Sequence, residues 1–371
     1  MTEPVRAEPV RVLVAGDHFV RNDLLIAALN REVAGRPGLD VPLEFTELTL
    51  PWPVTPFGPV GEVVEASGDE ATMIEALDGV DICLTEMAPL TRKILEAAPR
   101  LRLFGVGRGG PVNANLEAAT EHGVLVTFAP GRNATATAEH TLGMMLAAVR
   151  RIPATHADLA AGRWRGDYYR YDQVGPEIEG GTVGLVGYGA IGRKVARMLE
   201  GFGAEVLVYD PYVDHLDGNA TLVPLDELLR RSSIVTLHAR ATPETKGLIG
   251  AEQIAAMPDG AVLVNCARGA LVDYDAVCDA LDSGHLFAAA FDVFPEEPIP
   301  AGSRLLTTPG IVMTPHLAGA SKQTAHKAAA ILAADVRRHL EGEALAHCAN
   351  PEAAGSQAAE SQAAGSQAAG S

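Results

Sequence analysis

Residues 182–199 read TVGLVGYGAIGRKVARML. The apolar run Thr182 to Val186 suits a buried strand, and Arg193 to Leu199 suits a helix. Between them lie Gly187, Gly189 and Gly192, spaced as G-x-G-x-x-G. That order constrains the chain more than any other feature, because each glycine answers a different steric demand. Gly187 permits the tight turn, Gly189 lets a pyrophosphate approach the backbone, and Gly192 lets helix and strand pack closely. Ala190 and Ile191 open a helix whose free N–H groups and positive dipole end would face the phosphates. The following strand ends in an acid, Asp210, with Pro211 behind it. An acid there accepts hydrogen bonds from the adenosine ribose and repels a 2′-phosphate. The stretch therefore predicts a dinucleotide site for NAD (NADH), with NADP disfavoured.

The rest of the chain supplies the strands and helices such a site needs. Before residue 130, RVLVAG, LEFTEL, DICLTE and LRLFGVG read as strands with helical patterns between them. Residues 51–60 carry Pro51, Pro53, Pro56 and Pro59 and are expected to be loop. A long helix is expected over 134–151, ended by Pro153, with an irregular segment over 153–181. A second alternation then starts, with AEVLVYD, SIVTLHA, AVLVNCA, AAAFDVF and IVMTPH as further strands. Their β-branched, apolar character suits a parallel sheet covered on both faces. A last helix is expected over 320–341. From Gly355 the chain repeats GSQAA-like units with no large apolar residue, which predicts a disordered low-complexity tail over 351–371.

Composition removes several classes. The net charge of −18 opposes nucleic-acid binding. No apolar run approaches the ~20 residues of a membrane helix, and the N-terminus lacks a signal-peptide layout, so no membrane partner is expected. Cys83, Cys266, Cys278 and Cys348 form no paired motif, so no metal site is expected and a reducing cytoplasm fits best.

Three ionisable residues follow strands of the second alternation: Arg268 after VLVNCA, Glu297 after FDVFPE, and His316 after VMTP. Ligands of open parallel sheets bind beyond the carboxyl ends of strands. A histidine paired to a carboxylate suits proton transfer, and an arginine suits a substrate carboxylate. Hydride donor, proton donor and carboxylate anchor together describe reduction of a 2-oxo acid.

The pieces PGRNATATAEHTLGMMLA, GGTVGLVGYGAIGRKVARML, LVNCARGALVD, AAAFDVFPEEP and MTPHLAGAS resemble the D-isomer-specific 2-hydroxyacid dehydrogenases, including phosphoglycerate dehydrogenase-like enzymes. The resemblance spans roughly residues 10 to 350. It implies Arg268 as substrate anchor, Glu297 as its histidine's carboxylate partner, and His316 as general acid/base. It implies Asp292 as holder of the nicotinamide carboxamide, and His238, Ala239, Arg240, Thr245, Cys266 and Ala267 as cofactor-lining residues. His140 and His238 match family positions and look structural. The implied α/β architecture has two doubly wound parallel-sheet domains. A Rossmann cofactor domain, 133–317, is inserted into a flavodoxin-like substrate domain, 1–132 and 318–350. Similar proteins dimerise around the 134–151 helix, so a homodimer is expected.

Two departures stand out. Arg240 replaces the usual proline near the adenosine side, which weakens the preference for NAD. The usual GVGVDNID is here RGGPVNAN, from Arg108 to Asn115. Gly109 and Gly110 can still donate N–H groups to a substrate carboxylate, beside Arg108. With Arg132 and Arg170, Arg108 suggests a substrate whose far end is anionic or polyhydroxyl: phosphohydroxypyruvate, a phosphono-oxo acid or a sugar acid. Arg108 could instead pair with a nearby acid. An alternative of another class is an NAD(H)-sensing corepressor-like binding protein of the same fold. A formate dehydrogenase relative is disfavoured, since those proteins carry glutamine at the position of Glu297.

Overall fold

The computed structural model describes residues 8–33, 36, 39 and 41–354; the repeats from Gly355 onward lie outside them. The chain divides into two compact units, Met1–Arg132 with Ser321–Ser371, and Asn133–Ala320.

The first unit begins with β1 (Val10–Gly16), α1 (Asn22–Val33) and β2 (Leu43–Thr49). The proline-rich segment is not wholly loop. Its end forms β3 (Gly58–Val60), which pairs antiparallel with β4 (Val63–Ala66), because the prolines leave residues 58 and 60 able to bond across a short hairpin. Then come α2 (Glu70–Ala76), β5 (Ile82–Thr85), α3 (Arg92–Ala97), β6 (Leu103–Val106), α4 (Leu116–Glu121) and β7 (Leu125–Phe128). Side chains Asp69, Thr91 and Asn115 cap α2, α3 and α4. The parallel strands order as β2-β1-β5-β6-β7, the flavodoxin-like winding. Alternation along β1 shows why both faces are covered: Leu13 and Ala15 join one core and Val12 and Val14 the other.

The second unit opens with α5 (Ala134–Val149). The segment after it is not irregular throughout, since α6 (Ile152–Ala160) follows at once. Pro153 falls in the first turn of α6, where its missing N–H costs nothing, so it starts a helix rather than ending one. Arg151, at φ 51°, makes the break. The unit continues with β8 (Thr182–Val186), α7 (Ala190–Glu200), β9 (Glu205–Tyr209), β10 (Thr221–Leu222), α8 (Leu225–Arg231), β11 (Ile234–Leu237), α9 (Ala251–Ala255), β12 (Ala261–Asn265), α10 (Tyr274–Asp282), β13 (Leu286–Phe291) and β14 (Ile311–Met313). Its parallel sheet orders as β10-β9-β8-β11-β12-β13-β14, the Rossmann winding with one extra strand. The final helix, α11 (Lys322–Leu340), packs against α1 within the first unit.

No helix among the described residues is long and apolar enough to cross a membrane. Among them, no group of three or more His, Cys, Asp and Glu is placed to hold a metal ion.

Candidate active site

The turn after β8 meets the steric demands of a pyrophosphate cradle. Gly187 adopts φ 102°, and a Cβ there would lie 2.7 Å from Ala239 N. A Cβ on Gly192 would lie 2.3 Å from the carbonyl oxygen of Gly187. Gly189 has nothing within 4 Å of the place a Cβ would occupy, which leaves room for a ligand. It also caps α7 without a side-chain bond, so the first N–H groups of that helix stay available, with Ala190 exposed beside them. Asp210 stands at the end of β9. Its Oδ2 accepts from Tyr188 N at 2.8 Å and its Oδ1 from Tyr212 N at 2.9 Å. The acid is thus tied to the glycine turn.

The carboxyl edge of the same sheet carries the ionisable residues. Arg268 follows β12, is exposed, and donates from Nη1 to Ala267 O at 2.7 Å. Its turn is fixed by Asn265, whose Nδ2 donates to Arg268 O at 2.9 Å and to Tyr274 Oη at 3.2 Å. Tyr274 in turn donates to Val293 O at 2.7 Å, linking the β12 turn to the one after β13. Gly269 is required by this approach, because a Cβ there would sit 1.9 Å from Phe294 O. Asn265 and Tyr274 were not singled out from the sequence. The available signal was one amide ending the otherwise apolar strand AVLVN.

Glu297 and His316 come together. His316 Nδ1 lies 2.7 Å from Glu297 Oε2, while Phe294 N donates to Glu297 Oε1 at 2.9 Å. Burial alone would raise the Glu297 carboxyl, but the His316 and Phe294 bonds outweigh it and hold it below the usual range. The carboxylate requires a proton on Nδ1 and leaves Nε2 for a reacting atom. The imidazole is half exposed, at 50%.

Asp292 is fully buried. Its Oδ1 accepts from Thr314 Oγ1 and from Leu317 N at 2.8 Å, and its Oδ2 from Ala318 N at 2.8 Å. His140 Nε2 lies 3.5 Å from Oδ1 and 3.0 Å from Thr314 Oγ1. Burial opposes the charge, yet these bonds together hold the acid below its usual range. His316 N donates to Asp292 O at 2.9 Å. Asp292 therefore engages the histidine turn from both its backbone and its side chain, and has no exposed oxygen.

The remaining cofactor-side residues have local partners. His238 is half-buried with its ring Nδ1 enclosed, and desolvation pushes it down to about 3, so it is neutral, with Nε2 3.2 Å from Thr236 Oγ1. Ala239 follows it against Gly187. Thr245 Oγ1 donates to Arg240 O at 2.7 Å and closes that loop, leaving Arg240 exposed. Cys266 and Ala267 are buried, and burial pushes the Cys266 thiol up to about 12.

In the first unit, four charged residues follow parallel strands: Asp17 after β1, Glu86 after β5, Arg108 after β6 and Arg132 after β7. Among the described residues, the N–H groups of Gly109 and Gly110 have no hydrogen-bond acceptor. The arginines that suggested an anionic or polyhydroxyl substrate end are all paired with acids. Arg108 Nη2 lies 2.7 Å from Glu65 Oε2, Arg132 Nη2 2.5 Å from Glu86 Oε1, and Arg170 Nη2 3.1 Å from Asp172 Oδ2.

A sequence model described as D-isomer specific 2-hydroxyacid dehydrogenase, NAD binding domain, matches residues 142–318. The glyoxylate reductase of Korarchaeum cryptofilum is 34% identical over 293 residues, which cover 78% of this chain and 88% of that protein. The chain belongs to the D-isomer-specific 2-hydroxyacid dehydrogenase family. The family's NAD-binding domain thus falls in the second unit, where the glycine cradle lies. The D-3-phosphoglycerate dehydrogenase of Methanocaldococcus jannaschii is 40% identical over 291 residues, 76% of this chain. This family member spans only about half that relative's length, 54%. The solved TT0316 protein of Thermus thermophilus is similar over 92% of this chain and all of its own, with a TM-score of 0.73 and 30% identity.

Proposed function

We propose that this chain is an NAD-dependent oxidoreductase that interconverts a 2-oxo acid and a D-2-hydroxy acid. The observation that carries the reading is the His316–Glu297 pair, 2.7 Å apart at the carboxyl edge of the sheet that bears the glycine cradle. Bound NAD(H) would supply or accept the hydride at the substrate's second carbon. Gly187, Gly189, Ala190, Ile191 and Gly192 would hold its pyrophosphate and Asp210 its adenosine ribose. Pro211, His238, Ala239, Arg240, Thr245, Cys266 and Ala267 would line it.

His316 Nε2 delivers a proton to the carbonyl oxygen in reduction and removes it from the hydroxyl in oxidation. Glu297 keeps the ring in the tautomer that permits this and stabilises the imidazolium. Among the described residues, Arg268 is bonded through Nη1 alone, which supports its use of the remaining donors to polarise the carbonyl and hold the carboxylate. The uncommitted N–H groups of Gly109 and Gly110 support an anion-binding role in the first unit. Arg108 stands beside them and is proposed to line the same loop. Asp292 would act at the nicotinamide side by ordering the histidine turn.

NAD is favoured over NADP because a 2′-phosphate would meet the Asp210 carboxylate. A homodimer is supported by α6, which has no buried residue, and by the exposed Trp164, Tyr169 and Tyr171 that follow.

Following NADH absorbance over a series of 2-oxo acids tests the reading. Turnover is expected for at least one acid, and His316→Ala should lower it by about 10²–10⁴-fold. Near-normal turnover by His316→Ala would end this mechanism. Tight NADH binding with no turnover of any acid would favour the corepressor-like alternative.

A further inference from the structure

Among the described residues of the first unit, six buried side-chain polar atoms lack hydrogen-bond partners, and four of them follow its parallel strands: Asp17 Oδ2, Glu86 Oε2, Arg108 Nη1 and Arg132 Nη1. They share one neighbourhood. Glu86 bonds to Arg132, and Asp17 feels the charges of both, as Glu86 feels that of Arg108. Asp17 and Glu86 are each 2% exposed. Asp17 follows β1 and Glu86 follows β5, the neighbouring strands between which the winding of this sheet reverses. Open α/β sheets bind ligands at that switch point.

Each residue is fixed on one side and uncommitted on the other. Asp17 Oδ1 accepts from Phe19 N and Val20 N, both at 2.8 Å, leaving Oδ2. Glu86 Oε1 holds Arg132, leaving Oε2. The Arg132 guanidinium lies 5.8 Å from the Phe19 ring centre, and that of Arg108 lies 5.8 Å from the Phe57 ring centre. Buried polar atoms left without partners at a switch point require an explanation.

We propose that the Asp17–Glu86–Arg132 cluster, with Arg108, is a hydroxyl-recognition subsite, and that the substrate is a polyhydroxylated acid of the sugar-acid type. The inference rests on the 2-oxo acid reductase reading and commits it to one of its substrate classes. Glu86 Oε2 accepts, the two guanidinium atoms donate, and the Asp17 carboxyl donates when protonated and accepts when not, which suits hydroxyl groups, each of which both donates and accepts. An aliphatic end would bury all four atoms unmatched. A second phosphate or carboxylate would meet the Glu86 carboxylate, while Arg132 is already neutralised by Glu86 and Arg108 by Glu65.

The test uses the full chain with NADH and three matched pairs of acids: hydroxypyruvate with pyruvate, 3,4-dihydroxy-2-oxobutanoate with 2-oxobutanoate, and 2-oxogluconate with 2-oxohexanoate. Phosphohydroxypyruvate is the anionic comparison. For the best pair, kcat/KM should favour the hydroxylated acid by about ten- to hundredfold per recognised hydroxyl. It should also exceed the value for phosphohydroxypyruvate. Glu86→Gln and Asp17→Asn should each shrink that preference at least tenfold. Ratios near one in every pair, preference for the phosphorylated acid, or variants that slow both members of a pair equally would overturn the proposal. Should neither variant fold, the wild-type ratios alone decide. Should no acid be reduced, the reading of the activity fails by itself. Melting with NADH then decides the subsite: stabilisation by gluconate and not by hexanoate upholds it, and no stabilisation overturns it.

Discussion

Asp292 holds the turn of His316 at three successive N–H groups. The carbonyl of Asp292 accepts from His316 N at 2.9 Å, and its carboxylate accepts from the next two N–H groups, Leu317 and Ala318, at 2.8 Å each. His316 has φ 53°, a left-handed conformation that costs a residue with a side chain of order 1 kcal/mol or more. One buried acid therefore keeps the histidine backbone in a conformation it would otherwise leave.

Asp292→Asn separates this role from direct cofactor holding. An amide must turn an NH2 toward one of the two N–H donors. A change of about 2 kcal/mol in stability follows, seen as a lower melting temperature. If the acid orders His316, kcat falls by about ten- to hundredfold while the KM for NADH stays within a few-fold. A large rise in that KM with little change in kcat would instead place the acid against the nicotinamide.

The cradle glycines should divide into two kinds. Gly192→Ala puts a methyl group against the Gly187 carbonyl and should destabilise the unit, lowering the melting temperature by several degrees. Gly189→Ala meets nothing in the protein and should leave melting almost unchanged, yet weaken NADH about tenfold or more, because the added methyl occupies the pyrophosphate's approach. Fluorescence titration with NADH beside a melting curve checks both. Equal effects of the two variants would contradict the assignment.

Asp210→Ala should lower the preference for NADH over NADPH by at least tenfold, read as the ratio of kcat/KM values. It should also lower efficiency with NADH itself, since Tyr188 N and Tyr212 N lose their acceptors. An unchanged ratio would shift cofactor choice to the exposed Arg240.

Asp17 is raised to about 7, first by burial and then by the Glu86 charge, against the N–H groups of Phe19 and Val20 and the Arg132 guanidinium. The folded chain keeps a proton there that the unfolded chain releases near 4. Folding is thus favoured at low pH, and the Asp17 contribution falls as pH rises from about 4 to about 7, by up to about 4 kcal/mol. The amide introduced by Asp17→Asn cannot titrate and still accepts both N–H groups. Urea denaturation should therefore show the variant gaining on the wild type from pH 5 to pH 8. A constant difference between the two would show that Asp17 titrates normally.

The sequence by itself determined what local chemistry can encode. Three glycines at G-x-G-x-x-G spacing between a strand and a helix, with an acid ending the next strand, mark a cofactor turn, because those needs lie within one strand–turn–helix unit. Apolar strand runs likewise announced two parallel sheets, and Arg268, Glu297 and His316 were legible as polar residues placed just after such runs. The short strand Gly58–Val60 and the helix at Pro153 were not, because a proline's effect depends on which N–H its position would have used. Only the tertiary structure decided the rest. It alone brought His316 to Glu297, tied its turn to Asp292, and matched Arg108 and Arg132 with Glu65 and Glu86. These pairings join residues on different loops, and no periodicity in the chain records which loop ends meet. Charge counting left an anionic and a polyhydroxyl substrate end both open; the folded unit matches Arg108 and Arg132 to acids and leaves unpartnered polar atoms that favour the hydroxyls.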